Sequence, residues 1–246
     1  MTGQEKISDL ALRSERVAAF FDFDGTVACV DSFVLLGLVA GWKGIGCLSL
    51  AGFLKALMDY KRNRLTNTQL KEVFLSDLKG VSHVRMRELC GRLFDRLVRP
   101  TLRPALKARI DRHNRSGHVT VLLSASFEEQ LLPAADHLRV RAAIGSKAQV
   151  VDGALTGRLE GEACHGVEKA RAAKAFCESR GIDLRGSFAY GDTLSDLPVL
   201  ELCGHACVVN GSARLRGIAE RRGWEILNGP SPFWSLVGGF TGLSLR

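Results

Sequence analysis

The chain is punctuated by short apolar runs that each stop at a polar residue. Val17-Ala18-Ala19-Phe20-Phe21 stops at Asp22, and His118-Val119-Thr120-Val121-Leu122-Leu123 stops at Ser124. Ser187-Phe188-Ala189-Tyr190 runs into Gly191-Asp192, and Ala206-Cys207-Val208-Val209 into Asn210. Unbroken apolar runs of this kind suit strands buried on both faces of a parallel sheet. Between them lie helical stretches. Glu168 to Arg180 is followed by Gly181, a C-capping residue type, and Pro198 suits the first turn of a helix toward Leu202. Strands alternating with helices predict an α/β fold built on a doubly wound parallel, Rossmann-like sheet. Residues 148–160 read as a small hairpin that turns at Asp152-Gly153.

Far more chain separates the first two runs than one crossover helix needs. Within it Leu70, Val73, Phe74 and Leu78, then Leu89, Leu93, Phe94 and Leu97, recur at helical spacing. We therefore expect an α-helical cap over 33–115, inserted after the first strand. The core would be discontinuous, 1–32 and 116–230, and residues 231–246 form an apolar tail.

In an open parallel sheet, ligands bind beyond the carboxyl ends of the strands. Asp22, Ser124 and Asp192 all fall at that edge. Asp22-Phe23-Asp24-Gly25-Thr26 puts two carboxylates two residues apart, on one side of an extended chain. Such a pair repels unless one holds a proton or a cation neutralises both, and a hard divalent ion such as Mg²⁺ favours oxygen ligands. Gly25 lets the chain turn sharply and present N–H groups to a phosphate. The competing reading of the same residues is a plain strand-to-turn cap.

Taken together, these segments resemble the haloacid dehalogenase superfamily of phosphatases. Phe20 to Thr26 looks like its first motif, Leu122-Leu123-Ser124 its second, and Gly191-Asp192-Thr193-Leu194-Ser195-Asp196 its acidic fourth. Lys169 stands where the family has its motif III lysine, with Lys174 as a rival one turn later. The insertion after the first motif and the Ser124-Ala125-Ser126 sequence are similar to the phosphoserine-phosphatase-like branch, subfamily IB. The resemblance implies a nucleophilic Asp22, an acid–base Asp24, a phosphoryl-binding Ser124 and a charge-neutralising Lys169. It also implies Mg²⁺ held by Asp22, the Asp24 backbone carbonyl and Asp192, with Asp196 orienting a water or Lys169. Gly25, Thr26, Asp31 and Ser126 are the candidate substrate-binding residues. Ser124 has a second reading as a helix N-cap. Asp31 stands where relatives carry a glutamate that reads a substrate ammonium, and it too has a second reading as an N-cap.

Composition sharpens this picture only in places. At 46% hydrophobic and 24% charged, the 246 residues are those of a globular chain rather than a disordered one. Seven cysteines form no CxxC pair, and Met1 to Arg16 lacks the apolar core of a secretory signal. Reduced thiols and a cytoplasmic location are expected. Cys203, His205 and Cys207 alternate as if on one strand face, a weak metal candidate.

The net charge is +8, and residues 55–115 alone hold 16 Lys+Arg against 6 Asp+Glu. Nucleic-acid binding would pair these cations with stacking aromatics, but only Phe74 and Phe94 are available, both at core-like spacing. A phosphorylated small molecule or amphipathic phosphate is the expected partner. Residues 33–58, which carry only Lys43 and Lys55 as charges, suggest a buried hairpin bent at Gly41–Gly46 or a peripheral membrane contact. The tail around Phe233 and Trp234 suggests core packing, a membrane contact or a homodimer contact. A membrane-associated lipid-phosphate phosphatase, a phosphotransferase and a catalytically silent binding protein are the alternative functions.

Overall fold

The computed structural model of the protein describes residues 16–45 and 49–229. The apolar tail expected from sequence lies outside the described residues, as does Gly46 of the expected Gly41–Gly46 bend; within that bend the helix from Ser32 ends at Trp42 and Gly44 has φ +58°. Strand β1 (Ala18–Phe21) leads into helices α1 (Ser32–Trp42), α2 (Leu50–Lys61), α3 (Asn67–Asp77) and α4 (His83–Leu93). A π-helical turn (Phe94–Val98) and a 3-10 turn (Arg99–Thr101) connect to α5 (Pro104–Arg115). Then follow β2 (Val119–Phe127), α6 (Glu128–Leu138), β3 (Ala142–Ser146) and the hairpin β4 (Ala148–Val151) with β5 (Ala154–Leu159). The chain continues through α7 (Val167–Glu178), β6 (Phe188–Gly191), a 3-10 turn (Leu194–Asp196), α8 (Leu197–Leu202), β7 (His205–Val209), α9 (Ala213–Arg222) and β8 (Glu225–Leu227).

The main sheet has the order β3-β2-β1-β6-β7-β8, and every pairing in it is parallel. The strand order reverses between β1 and β6, which opens the crevice where such sheets bind ligands. The expected doubly wound α/β fold is therefore present. So is the hairpin: Asp152 and Gly153 both have positive φ, 49° and 76°, as a two-residue type I′ turn requires.

One boundary differs in a way that matters. β2 does not end at Ser124 but runs to Phe127, with a register shift against β3 between Leu123 and Phe127. The N-cap position of α6 is Phe127, whose N–H donates to the Gln130 side chain at 3.2 Å. The N-cap reading of Ser124 is thus overturned. An irregular strand end re-aims side chains, as bulges beside active sites do.

The inserted helices are anchored by aromatic packing. Phe33 of α1, Phe53 of α2, Phe74 of α3 and Phe127 of β2 form a buried cluster with ring centroids 5.4 to 6.0 Å apart. Each such pair contributes about 0.5–1.5 kcal/mol beyond its buried area. α1 approaches α2 closely because Gly37 leaves room for the Phe53 ring; a Cβ there would sit 2.0 Å from it. The last helix of the 33–115 stretch, α5, lies on the sheet itself. His113 contacts the rings of Phe21 and Phe188 and shares a 2.8 Å hydrogen bond with the Tyr190 hydroxyl. The weak Cys203/His205/Cys207 metal candidate dissolves here. Cys203 packs into the apolar cluster on one face of the sheet, Cys207 into the cluster on the other.

Burial, reinforced by His118, Arg109 and Arg112, lowers the His113 pKa to about 4. The unfolded chain, with its histidine near 6.5, therefore takes up the proton first as the pH falls. The His113 contribution is complete above about pH 6.5 and is lost progressively down to about 4. Thermal melts between those limits should show Tm falling with pH, and falling less steeply in His113→Gln.

Candidate active site

β1 and β6 deliver Asp22 and Asp192 to adjacent positions at the carboxyl edge of the sheet. The Asp22 N–H donates to the Tyr190 carbonyl at 2.9 Å, which fixes the start of the loop. Gly25 then turns with φ +83°, and a Cβ on it would lie 2.2 Å from Asp192 Oδ2, so only glycine lets the two segments meet. Arg103 braces this loop from behind: its N–H donates to Val27 O at 2.9 Å and its Nη2 to Gly25 O at 3.2 Å.

A buried lysine stands at the centre. Lys169, in the first turn of α7, donates from Nζ to Asp22 Oδ1 and to Asp196 Oδ1, both at 2.6 Å. Lys174, the rival, is exposed and lies 3.8 Å from Glu178. Asp196 is itself tied down, its Oδ2 accepting from the Asp192 and Thr193 N–H groups and from the Thr193 hydroxyl. Burial works against its carboxylate, but Lys169 and the Thr193 bonds outweigh it and hold the pKa below the usual range. Burial also opposes the Lys169 charge, yet the two carboxylates raise its pKa above the ordinary lysine value. Asp22 goes the other way. Burial pushes its pKa well up, Lys169 opposes this, and Asp196 and Asp192 add repulsion. Burial and Asp196 likewise raise Asp192 to about 6, against a 3.0 Å hydrogen bond from Thr26.

Carboxylate oxygens of Asp22, Asp192 and Asp196 lie within 4.8 Å of one another. Asp22 and Asp192 are driven toward their neutral forms by burial and by neighbouring carboxylates, a tension that a bound cation would relieve. An all-oxygen donor set of this kind fits Mg²⁺. The Asp24 side chain does not join this group. It accepts instead from the Ser126 hydroxyl at 2.5 Å, the Ser124 hydroxyl at 3.3 Å and the Ser32 N–H at 2.7 Å. Ser124 and Ser126, two residues apart on β2, share one side of the strand and both reach Asp24.

These groups border a cavity of about 160 Å³ between the sheet edge and the inserted helices. Asp22, Asp24, Ser124, Ser126, Lys169 and Asp31 line it. Gly25 and Thr26 are not among the lining side chains; Thr26 is fully buried and donates to Asp192. The N-cap reading of Asp31 holds, and the residue also lies on the cavity wall. It caps α1, accepting from Val34 N–H at 2.9 Å. Burial and the Asp24 charge raise its pKa to about 6.

Sequence reasoning missed the far wall, made by Lys71, Tyr60, Asn67 and His165. Lys71 belongs to a helix whose charges read as solvated, yet it is 2% exposed, with its ammonium 4.3 Å from the Phe33 ring centroid. Burial lowers its pKa to about 8, with Asp31 and Asp24 opposing. A signal was available: Lys71 follows Leu70 and precedes Phe74, so it lies on the flank of the apolar stripe of α3.

The comparisons agree with the geometry. The family model for haloacid dehalogenase-like hydrolases matches residues 19–201. The chain is 32% identical to phosphoserine phosphatase SerB1 of Mycobacterium tuberculosis over 214 residues, 85% of this chain and 70% of the relative. A crystal structure of a Bordetella pertussis protein of unknown function superposes with a TM-score of 0.78 at 26% identity, covering 87% of this chain and 98% of that one. A structure described as a phospho-aspartyl intermediate analogue of phosphoserine phosphatase shares the fold, with a TM-score of 0.63 at 19% identity over 92% of this chain and 99% of that one. The chain belongs to the haloacid dehalogenase-like hydrolases, and among them it is a phosphatase.

Gly25→Ala should keep the fold but force Asp192 aside. Displacements near 1 Å at a reacting centre cost about 10²-fold in rate. Phosphatase assays alongside circular dichroism would check this: activity down by that order, spectrum unchanged.

Proposed function

We propose that the protein is a Mg²⁺-dependent phosphomonoester hydrolase that works through an aspartyl-phosphate on Asp22. The observation that carries this reading is the placement of the Asp22 carboxylate. It lies on the cavity wall, 2.6 Å from a buried lysine and beside two further carboxylates, with a second aspartate held by serines two residues on. Asp22 attacks phosphorus, and the bond from phosphorus to the alcohol oxygen breaks. Asp24 supplies the proton that the leaving oxygen takes up. Asp24 then accepts a proton from the water that cleaves the acyl phosphate, and Asp22 is regenerated.

Lys169 stabilises the negative charge of the transferring group, and Ser124 donates to one of its oxygens. Asp22, Asp192 and the Asp24 backbone carbonyl would hold Mg²⁺, which would supply further positive charge to the phosphoryl oxygens. Asp196 positions Lys169 and the Asp192 segment.

The cavity's size favours a small alcohol as leaving group. Asp31 and Lys71 offer it one group of each sign, so amino-alcohol phosphates and related zwitterions are the substrates we favour. Asp31 is one carbon shorter than the glutamate of phosphoserine phosphatases, which argues for a substrate other than phosphoserine. The cytoplasm is the compartment where such metabolites and the free cysteines among the described residues would both be at home.

A phosphomonoester panel should show turnover with Mg²⁺, none after chelation, and recovery when Mg²⁺ is restored. Asp22→Asn should lose at least about 10³-fold in kcat, as expected when a nucleophile is removed. Retained hydrolysis in that variant would overturn the mechanism. Phosphate appearing on an added alcohol rather than in water would indicate a phosphotransferase.

A further inference from the structure

The helix α1 contains no charged residue, and its two sides are buried to different degrees. Phe33, Leu36, Gly37 and Ala40 are buried. On the opposite side Leu35, Leu38, Val39 and Trp42 recur at three- and four-residue spacing, the first three only partly buried and Trp42 82% exposed. Neighbouring α2 adds Leu54, 42% exposed, and Met58, 50% exposed. Leu35, Leu38 and Val39 still pack partly against the core, and among the described residues Trp42, Leu54 and Met58 are the apolar side chains of this pair left largely to solvent.

The charges around this face have one sign. Between residues 32 and 64 the cations are Lys43, Lys55, Lys61, Arg62 and Arg64, and the only acid is Asp59. Asp59 is engaged by Arg64 at 3.4 Å. Lys43, Lys55, Lys61 and Arg62 are exposed.

We propose that the outer face of the α1–α2 pair docks on the surface of an anionic lipid bilayer. Trp42, Leu54 and Met58 enter the headgroup boundary, and Lys43, Lys55, Lys61 and Arg62 meet the acidic headgroups. Apolar side chains ringed by lysine and arginine, with a tryptophan among them, are what interfacial helices present to such a surface. Among the described residues no helix is long and apolar enough to cross a membrane, so the pair lies on the bilayer.

A second copy of the chain is a poorer occupant. Two-fold pairing would place this patch against itself and set lysines against lysines. Docking also has a consequence for catalysis, which rests on the phosphatase reading. The same two helices supply Phe33, Val34, Leu57 and Tyr60 to the catalytic cavity, so the docked enzyme works beside the lipid surface.

The test reads binding without turnover and so stands apart from the phosphatase mechanism. Full-length protein is sedimented with vesicles of phosphatidylcholine alone and of phosphatidylcholine with phosphatidylglycerol. Tryptophan quenching by brominated lipid is recorded in parallel. Binding should be at least about tenfold tighter to the anionic vesicles and should weaken with salt. Trp42→Ala and Lys43→Glu with Lys55→Glu should each lower it by about that factor while leaving Tm unchanged. Trp42→Phe should abolish most of the quenching, although Trp224 and Trp234 remain. Absence of binding to anionic vesicles overturns the proposal. So does binding that these variants leave intact, or a dimer in sedimentation velocity that Trp42→Ala dissolves.

Discussion

The catalytic edge depends on one buried cation. Lys169 sits between Asp22 and Asp196 with hydrogen bonds of 2.6 Å to each, and all three side chains are nearly inaccessible to solvent. Removing one member of such an arrangement leaves an uncompensated buried charge, at a cost of about 3–5 kcal/mol. The contact therefore locks together the end of β1, the start of α7 and the turn after β6. Asp196 extends the lock to the Asp192 and Thr193 backbone. Through Gly25, which packs against Asp192, it fixes the loop that carries Asp24. The arrangement is rigid where a nucleophile must be aimed, and it still leaves excess negative charge at Asp22 and Asp192. That surplus is what the proposed divalent cation would neutralise.

The inserted helices close the other side by a different means. Four phenylalanines join α1, α2 and α3 to the end of β2, and Lys71 lies over two of their rings. An ammonium carried into an aromatic cluster gives up hydration, and its pKa falls accordingly. The same packing that holds the insert on the core thus places a positive group opposite Asp31. Attachment of the insert and placement of Lys71 are in this respect one feature, because both rest on the same aromatic cluster.

Much of the catalytic edge was legible in the sequence. Asp22 and Asp192 end apolar runs, and parallel strands bring their ends together whatever lies between. Lys169 was legible through its motif position, and the Asp152-Gly153 turn through its residue types. The second reading of Ser124, as an N-cap, failed because β2 runs on to Phe127 past a register shift that leaves no mark in an apolar–polar pattern. Lys71, Tyr60, Asn67 and His165 were missed for another reason. Their roles arise from segments far apart in the chain, and a lysine on a helix flank looks solvated until its neighbours are known. Gly25 and Thr26 were assigned to substrate from their loop, yet the packing of that loop directs them to Asp192.

The central claim is that phosphate passes through Asp22. It is tested most directly by rapid quenching of wild-type enzyme with a radiolabelled phosphomonoester, followed by borohydride reduction and peptide mapping. Label should be transiently protein-bound and alkali-labile, and reduction should convert residue 22 to homoserine. Label on Ser124 or another side chain, or turnover with no protein-bound phosphate at any quench time, would contradict the account.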